Sequence, residues 1–163
     1  MKINGIKNLI FSSTAAVYKI SDINLKERSK ISPNNIYGST KLSCENLIIK
    51  NDYYINYIIF RFFNVCSAIP KLNVGELHSP ETHLIPLTIH KLTTKKKLKV
   101  YGNDYQTYDG TCIRDYIHIF DLCLAFEKAI NNFKNKNVCN NIFNLGSGRG
   151  YSVLEIIKIA VKK

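Results

Sequence analysis

The chain has 163 residues, 45% of them apolar, and a formal net charge of +11. That is the length of one ordinary domain with enough apolar material for a core, and no run of about 18 apolar residues gives reason to expect a membrane span. The charge comes from 19 lysines against only 4 arginines. Those lysines are scattered apart from Lys95–Lys97, so no nucleic-acid partner is expected, because base and phosphate readers lean on the arginine fork.

In chain order, Met1–Val17 is not read as a signal peptide, because Asn4, Gly5, Lys7 and Asn8 interrupt any apolar stretch. Asn8–Ser12 reads as a buried strand instead. Ile20–Pro33 is polar and reads as a loop. Pro33 opens a predicted helix to about Asn51, as proline does at a first turn. Tyr54–Phe63 is dense in aromatic and β-branched residues and predicts a strand. Asn64–Pro80 reads as a long connection and Leu84–Leu92 as a helix. Leu98–Tyr101 reads as a short strand closed by Gly102, and Tyr105–Arg114 as a loop. Asp121–Phe133 places Leu122, Phe126, Ala129 and Ile130 on one helical face. Asn141–Leu145 predicts a strand. Ser152 with Glu155 forms the S-x-x-E capping box of a last helix to Val161. Strands alternating with helices predict an α/β fold with a largely parallel sheet.

Five cysteines, at positions 44, 66, 112, 123 and 139, are an odd count without a C-x-x-C pair. Neither a disulfide framework nor a thiolate zinc site is expected, and a reducing compartment such as the cytoplasm fits.

Tyr37-Gly38-Ser39-Thr40-Lys41 lies on the first predicted helix. Residues four apart share a face about 6 Å apart along the axis. A tyrosine transfers protons near neutral pH only where a neighbouring cation favours its phenolate, and Lys41 is spaced to supply that cation. Gly38 is read as leaving room beside Tyr37 for a flat cofactor ring. Upstream, Ser12, Ser13 and Thr14 close a strand with hydroxyls, and ligands of parallel α/β sheets bind beyond the carboxyl ends of strands. On spacing alone, a solvated Tyr–Lys surface pair and ordinary strand-end capping are the commoner explanations.

A strand ending S-S-T-A-A followed by Y-G-x-x-K resembles the extended short-chain dehydrogenase/reductase family of NAD-dependent epimerases and dehydratases. Arg61–Val65, Gly75-Glu76, His78–Leu87, Tyr101–His118 and Asn144–Val153 narrow the resemblance to the UDP-sugar 4-epimerases. It extends over nearly the whole chain. It implies a partial doubly wound, Rossmann-type parallel sheet with part of a smaller substrate-binding lobe. Residues 1–66 would carry the catalytic pair, 67–120 part of the lobe, and 121–163 a helix, a returning strand and a further helix. It implies NAD as cofactor, a UDP-sugar as substrate and a homodimer at full length. Thr14 would hydrogen-bond the reacting hydroxyl, Tyr37 would be the acid/base, and Lys41 would hold the nicotinamide ribose. Phe63 would lie against the cofactor. Asn64, His83 and Leu84 would contact the sugar nucleotide, Lys99, Val100 and Tyr101 would flank the uracil, and Arg114 would meet the diphosphate, where its fork suits paired oxygens.

Related dehydratases need an extra acid and base after the strand-end threonine, and here Ala15 and Ala16 stand there, so dehydration is disfavoured. Other nucleotide-sugar epimerases and decarboxylases stay open, as does an inactive truncated product. The family's opening Gly-rich phosphate loop is not found and is expected in sequence outside this chain, as is the rest of the uridine pocket. Gly146-Ser147-Gly148-Arg149-Gly150 lacks the third glycine in register and reads as a tight turn between sheet and helix. Lys19 and Ser67 stand where the family usually has glycine, and His83 where some members have asparagine. His78, Glu81 and His83 fit no standard ligand spacing and read as a polar loop, without a metal.

Overall fold

The computed structural model describes residues 1–20, 24–135 and 140–162. Cys139 and part of the predicted loop from Ile20 to Pro33 lie outside those residues. The described chain forms two compact units: 1–63 with 120–146, and 64–119 with 147–163. The three segments expected from the sequence, broken after 66 and 120, are thus regrouped into two, with residues after 146 joining the second.

The first unit is built on a parallel sheet in the order β1-β2-β5, with β1 at Asn8–Thr14, β2 at Asn56–Phe62 and β5 at Asn141–Leu145. Asn8 pairs with Asn56 and Thr14 with Phe62, so β1 and β2 run in step along their length. β2 is central and covered on both faces, which is why it reads as a continuous apolar run rather than an alternation. The period of two still sorts its side chains. Tyr57 and Ile59 pack with Ile48 of helix α1 (Ile36–Lys50), together with Leu9 and Phe11. Ile58 and Phe60 pack on the opposite face with Phe126 and Ala129 of α3 (Ile119–Lys134). Phe60 and Phe126 meet edge to face, with centroids 5.3 Å apart.

Helix α1 starts at Ile36 rather than at Pro33. Asn35 is extended, and its side chain accepts from the Gly38 amide at 2.7 Å, which fixes the first turn. Pro33 lies just outside this cap.

The second unit pairs β3 (Asn64–Cys66) in parallel with β4 (Ile113–His118), and β4 antiparallel with β6 (Gly150–Ser152). These short strands replace the expected connection after Asn64, the end of the expected loop at Arg114, and the expected tight turn at Gly150. Helices α2 (Leu84–Thr93) and α4 (Val153–Val161) complete the unit. The capping box is formed: Ser152 N–H donates to Glu155 at 2.9 Å, and Glu155 N–H donates to the Ser152 hydroxyl at 3.0 Å. Gly150 is required by packing, because a Cβ there would lie 2.4 Å from Ile113 Cγ2. Leu98–Tyr101 is not a strand; it is irregular and mostly exposed, and none of the described strands pairs with it. Among the described residues, no helix is long and apolar enough to cross a membrane.

Candidate active site

Thr14 is the last residue of β1, and Ala15–Val17 follow as a single 3-10 turn. The Ala16 amide donates to the Thr14 hydroxyl oxygen at 3.2 Å, which leaves the Thr14 O–H free to donate. Tyr37 lies in the first turn of α1, with its side chain largely exposed. Lys41 follows one turn on. Its Nζ donates to the Ser12 carbonyl at 2.8 Å and lies 5.8 Å from the Tyr37 ring centroid. The three residues expected to carry the chemistry therefore belong to one unit, on the end of a parallel strand and the helix packed beside it. Phe63 follows β2 in the same unit and donates its amide to the Leu145 carbonyl at 3.0 Å.

Gly38 has another reason than the one expected. It is buried, and a Cβ there would lie 2.4 Å from the Ala16 carbonyl oxygen and 3.0 Å from Pro33 Cβ. Its missing side chain lets α1 approach the turn after β1, a packing requirement that the expected space for a cofactor ring did not include.

Beneath this surface runs a polar network that sequence reasoning missed. Ser13 points inward and donates to Glu45, the residue one turn beyond Lys41. Arg61 of β2 grips the same carboxylate with two bonds, from Nη2 at 2.6 Å and Nε at 3.0 Å. Arg61 Nη1 also donates to the Tyr18 hydroxyl at 2.9 Å, and Tyr18 donates to Asn144 at 2.7 Å. Both members of the ion pair are fully buried. Burial pushes the Tyr18 phenol above its ordinary range, against the opposing pull of Arg61. Tyr18 is thus held as a neutral phenol with both roles taken, whereas Tyr37 is open to solvent. The signal available in the sequence was the spacing 37, 41, 45, which lines one helical face.

The remaining expected site residues lie in the second unit. Asn64 on β3 donates its side-chain amide to the Asp115 carbonyl at 2.9 Å, beside Arg114 on β4. Arg114 is exposed, and its Nη1 donates to the Ile113 carbonyl at 2.8 Å. Asp115, which was not singled out, holds the amides of Ser147 and Gly148 at 2.7 and 2.8 Å and so fixes the turn before β6. His83 is the residue before α2, and Leu84 is its first residue. Lys99, Val100 and Tyr101 lie on the irregular segment, with the Lys99 ammonium 5.1 Å from the Tyr101 ring. Asn64 and Arg114 are thus brought onto neighbouring strands, and His83 is adjacent to Leu84, while Lys99–Tyr101 stand on a separate stretch of chain.

A parallel sheet with a hydroxyl at the end of one strand and a Tyr-x-x-x-Lys pair on the next helix defines a Rossmann-type protein of the short-chain dehydrogenase/reductase kind. Comparison with known proteins agrees. Residues 1–146 match the NAD dependent epimerase/dehydratase family, and the chain belongs to that family. It is 41% identical over 160 residues to a UDP-glucose 4-epimerase from Halalkalibacterium halodurans, covering 96% of this chain and 48% of that protein. The structure of UDP-glucose 4-epimerase from Brucella ovis in complex with NAD superposes with a TM-score of 0.86 at 42% identity, over 93% of this chain and 48% of that one. The Bifidobacterium longum UDP-glucose 4-epimerase in complex with NAD+ and UDP gives 0.85 at 33% identity, over 97% and 49%. The chain spans about half the length of the curated relatives it matches.

Proposed function

We propose that the protein carrying this chain is a UDP-glucose 4-epimerase, which interconverts UDP-glucose and UDP-galactose by transient oxidation at sugar C4. The observation that carries this reading is the Thr14, Tyr37 and Lys41 set, on the end of a parallel strand and the helix packed beside it, in a chain about 40% identical to several UDP-glucose 4-epimerases. The residues fit a dinucleotide: an exposed tyrosine and a lysine on one helical face, beside a strand-end hydroxyl whose O–H is free. NAD, when bound, supplies the hydride acceptor and donor.

Thr14 donates a hydrogen bond that orients the reacting hydroxyl. Tyr37 takes the proton of that hydroxyl and gives it back after the keto-sugar has turned over. The Lys41 ammonium, 5.8 Å from the Tyr37 ring centroid, holds the nicotinamide ribose through its N–H groups. Phe63 lies against the cofactor. Asn64, His83 and Leu84 contact the sugar nucleotide, Arg114 the diphosphate, and Lys99, Val100 and Tyr101 the uracil. Ala15 and Ala16 carry no proton-transfer group, which favours epimerisation over dehydration. The reaction belongs to galactose metabolism, in the cytoplasm, and the working protein is a homodimer.

The test is to supply the purified protein with NAD and UDP-galactose and to follow UDP-glucose formation. Interconversion in both directions supports the reading. Turnover of another nucleotide sugar with none of this pair overturns it.

A further inference from the structure

We propose that Glu76, His78, Glu81 and His83 form a binding site for a divalent transition metal, of which Zn2+ is the natural occupant. One ligand atom from each lies within 4.8 Å of all the others. A tetrahedral ion held at about 2.0–2.2 Å from nitrogen and oxygen ligands sets those ligands about 3.3 Å from one another. Three of the separations already match. His78 Nδ1 is 3.2 Å from His83 Nδ1 and 3.4 Å from Glu76 Oε1, and His83 Nδ1 is 3.2 Å from Glu81 Oε1. A fourth of the six, His83 Nδ1 to Glu76 Oε1, is 2.5 Å and must open by less than 1 Å around an ion, and the two remaining separations, from Glu81 to Glu76 and to His78, are no more than 4.8 Å.

Protons satisfy this arrangement incompletely. His83 Nδ1 faces three acceptors, from His78, Glu76 and Glu81, and carries at most one hydrogen. One cation at the centre meets all four lone pairs at once. The charge also fits, since two carboxylates and two neutral imidazoles balance a dication. Imidazole and carboxylate ligands select zinc and its neighbours over the hard ions, which prefer oxygen alone.

The surroundings hold the ligands in place. The amides of Thr82 and His83 both donate to Glu81 Oε1 at 2.8 Å, which orients that carboxylate. The two imidazoles stack 5.0 Å apart and present the same atom, Nδ1. All four ligands come from eight consecutive residues of the second unit. The ion closes the loop ahead of α2 and leaves both Nε2 atoms outward.

The test uses the full chain without an affinity tag, stripped with chelator and then titrated with Zn2+ and Co2+. The expected result is one ion per chain and a tetrahedral cobalt spectrum without sulfur-to-cobalt charge transfer. His78→Ala and Glu81→Gln each weaken zinc binding tenfold or more. Both side chains lie outside the core, and an unchanged melting curve of the stripped protein confirms that each variant folds. A sulfur charge-transfer band assigns the ion to the cysteines and overturns the proposal, as does zinc affinity that survives His78→Ala. The site shares His83 with the proposed sugar-nucleotide contacts, the ion taking Nδ1 and leaving Nε2; because binding is read without turnover, failure of the zinc titration is distinguished from failure of the epimerase assay.

Discussion

Arg61 stands two residues beyond Ile59 on the same face of β2, and there the apolar row ends in a bidentate ion pair with Glu45 of α1. The pair ties the helix that carries Tyr37 and Lys41 to the sheet that carries Thr14. Removing one partner strands a buried charge. Glu45→Ala is expected to destabilise the fold by about 3–5 kcal/mol. Urea denaturation measures it, and a loss below 1 kcal/mol would show that water reaches Arg61.

Gly38→Ala tests the close approach of α1 to the turn after β1. The added methyl meets the Ala16 carbonyl, a backbone atom that cannot turn aside. A loss of about 1–3 kcal/mol is expected from the resulting overpacking. Activity should fall with it, because the shift displaces Tyr37 from Thr14. A fully active, equally stable Gly38→Ala protein would return to this glycine the cofactor-facing role that its sequence context suggests.

The second unit has an acid-labile cap. Hydrogen bonds from the Ser152 hydroxyl and from Thr111 hold the Asp109 carboxyl below its ordinary range. The Tyr108 hydroxyl and the Ser152 amide do the same for Glu155. A carboxyl lowered in the folded state contributes stability above its unfolded pKa and loses it as pH falls through the folded one. Thermal stability should therefore decline on the acid side of the ordinary carboxylate range. Asp109→Asn should flatten that decline, as read from melting temperatures across acidic pH.

Much of this molecule was legible from sequence, for reasons visible in the residues. β2 and β5 are apolar strands bounded by asparagines, and the S-x-x-E box marks the start of α4 wherever the chain goes next. Leu98–Tyr101 misled because a short run closed by a glycine is only a local signal, and a strand also needs a neighbour to pair with. β4 and β6 were hidden for the opposite reason: Ile113–His118 carries charged and polar side chains, and β6 is three residues long and begins at a glycine. Helix period and strand end placed Thr14, Tyr37 and Lys41 on their elements, while the roles proposed for them came from the family resemblance and not from spacing. Glu45, Arg61 and Tyr18 were not readable, since their pairing depends on three elements meeting. The convergence of Glu76 with His78, Glu81 and His83 likewise depends on a loop path that no periodic pattern describes.

The central claim is that Tyr37, and not the buried Tyr18, moves the proton. The most direct measurement compares Tyr37→Phe with Tyr18→Phe in the UDP-glucose/UDP-galactose assay. The account predicts that Tyr37→Phe lowers kcat by about 10²–10⁴-fold at unchanged stability. Tyr18→Phe should lower stability by about 1–3 kcal/mol, because Arg61 and Asn144 lose a buried partner, while leaving most of kcat. A Tyr37→Phe enzyme that turns over at the wild-type rate would contradict it.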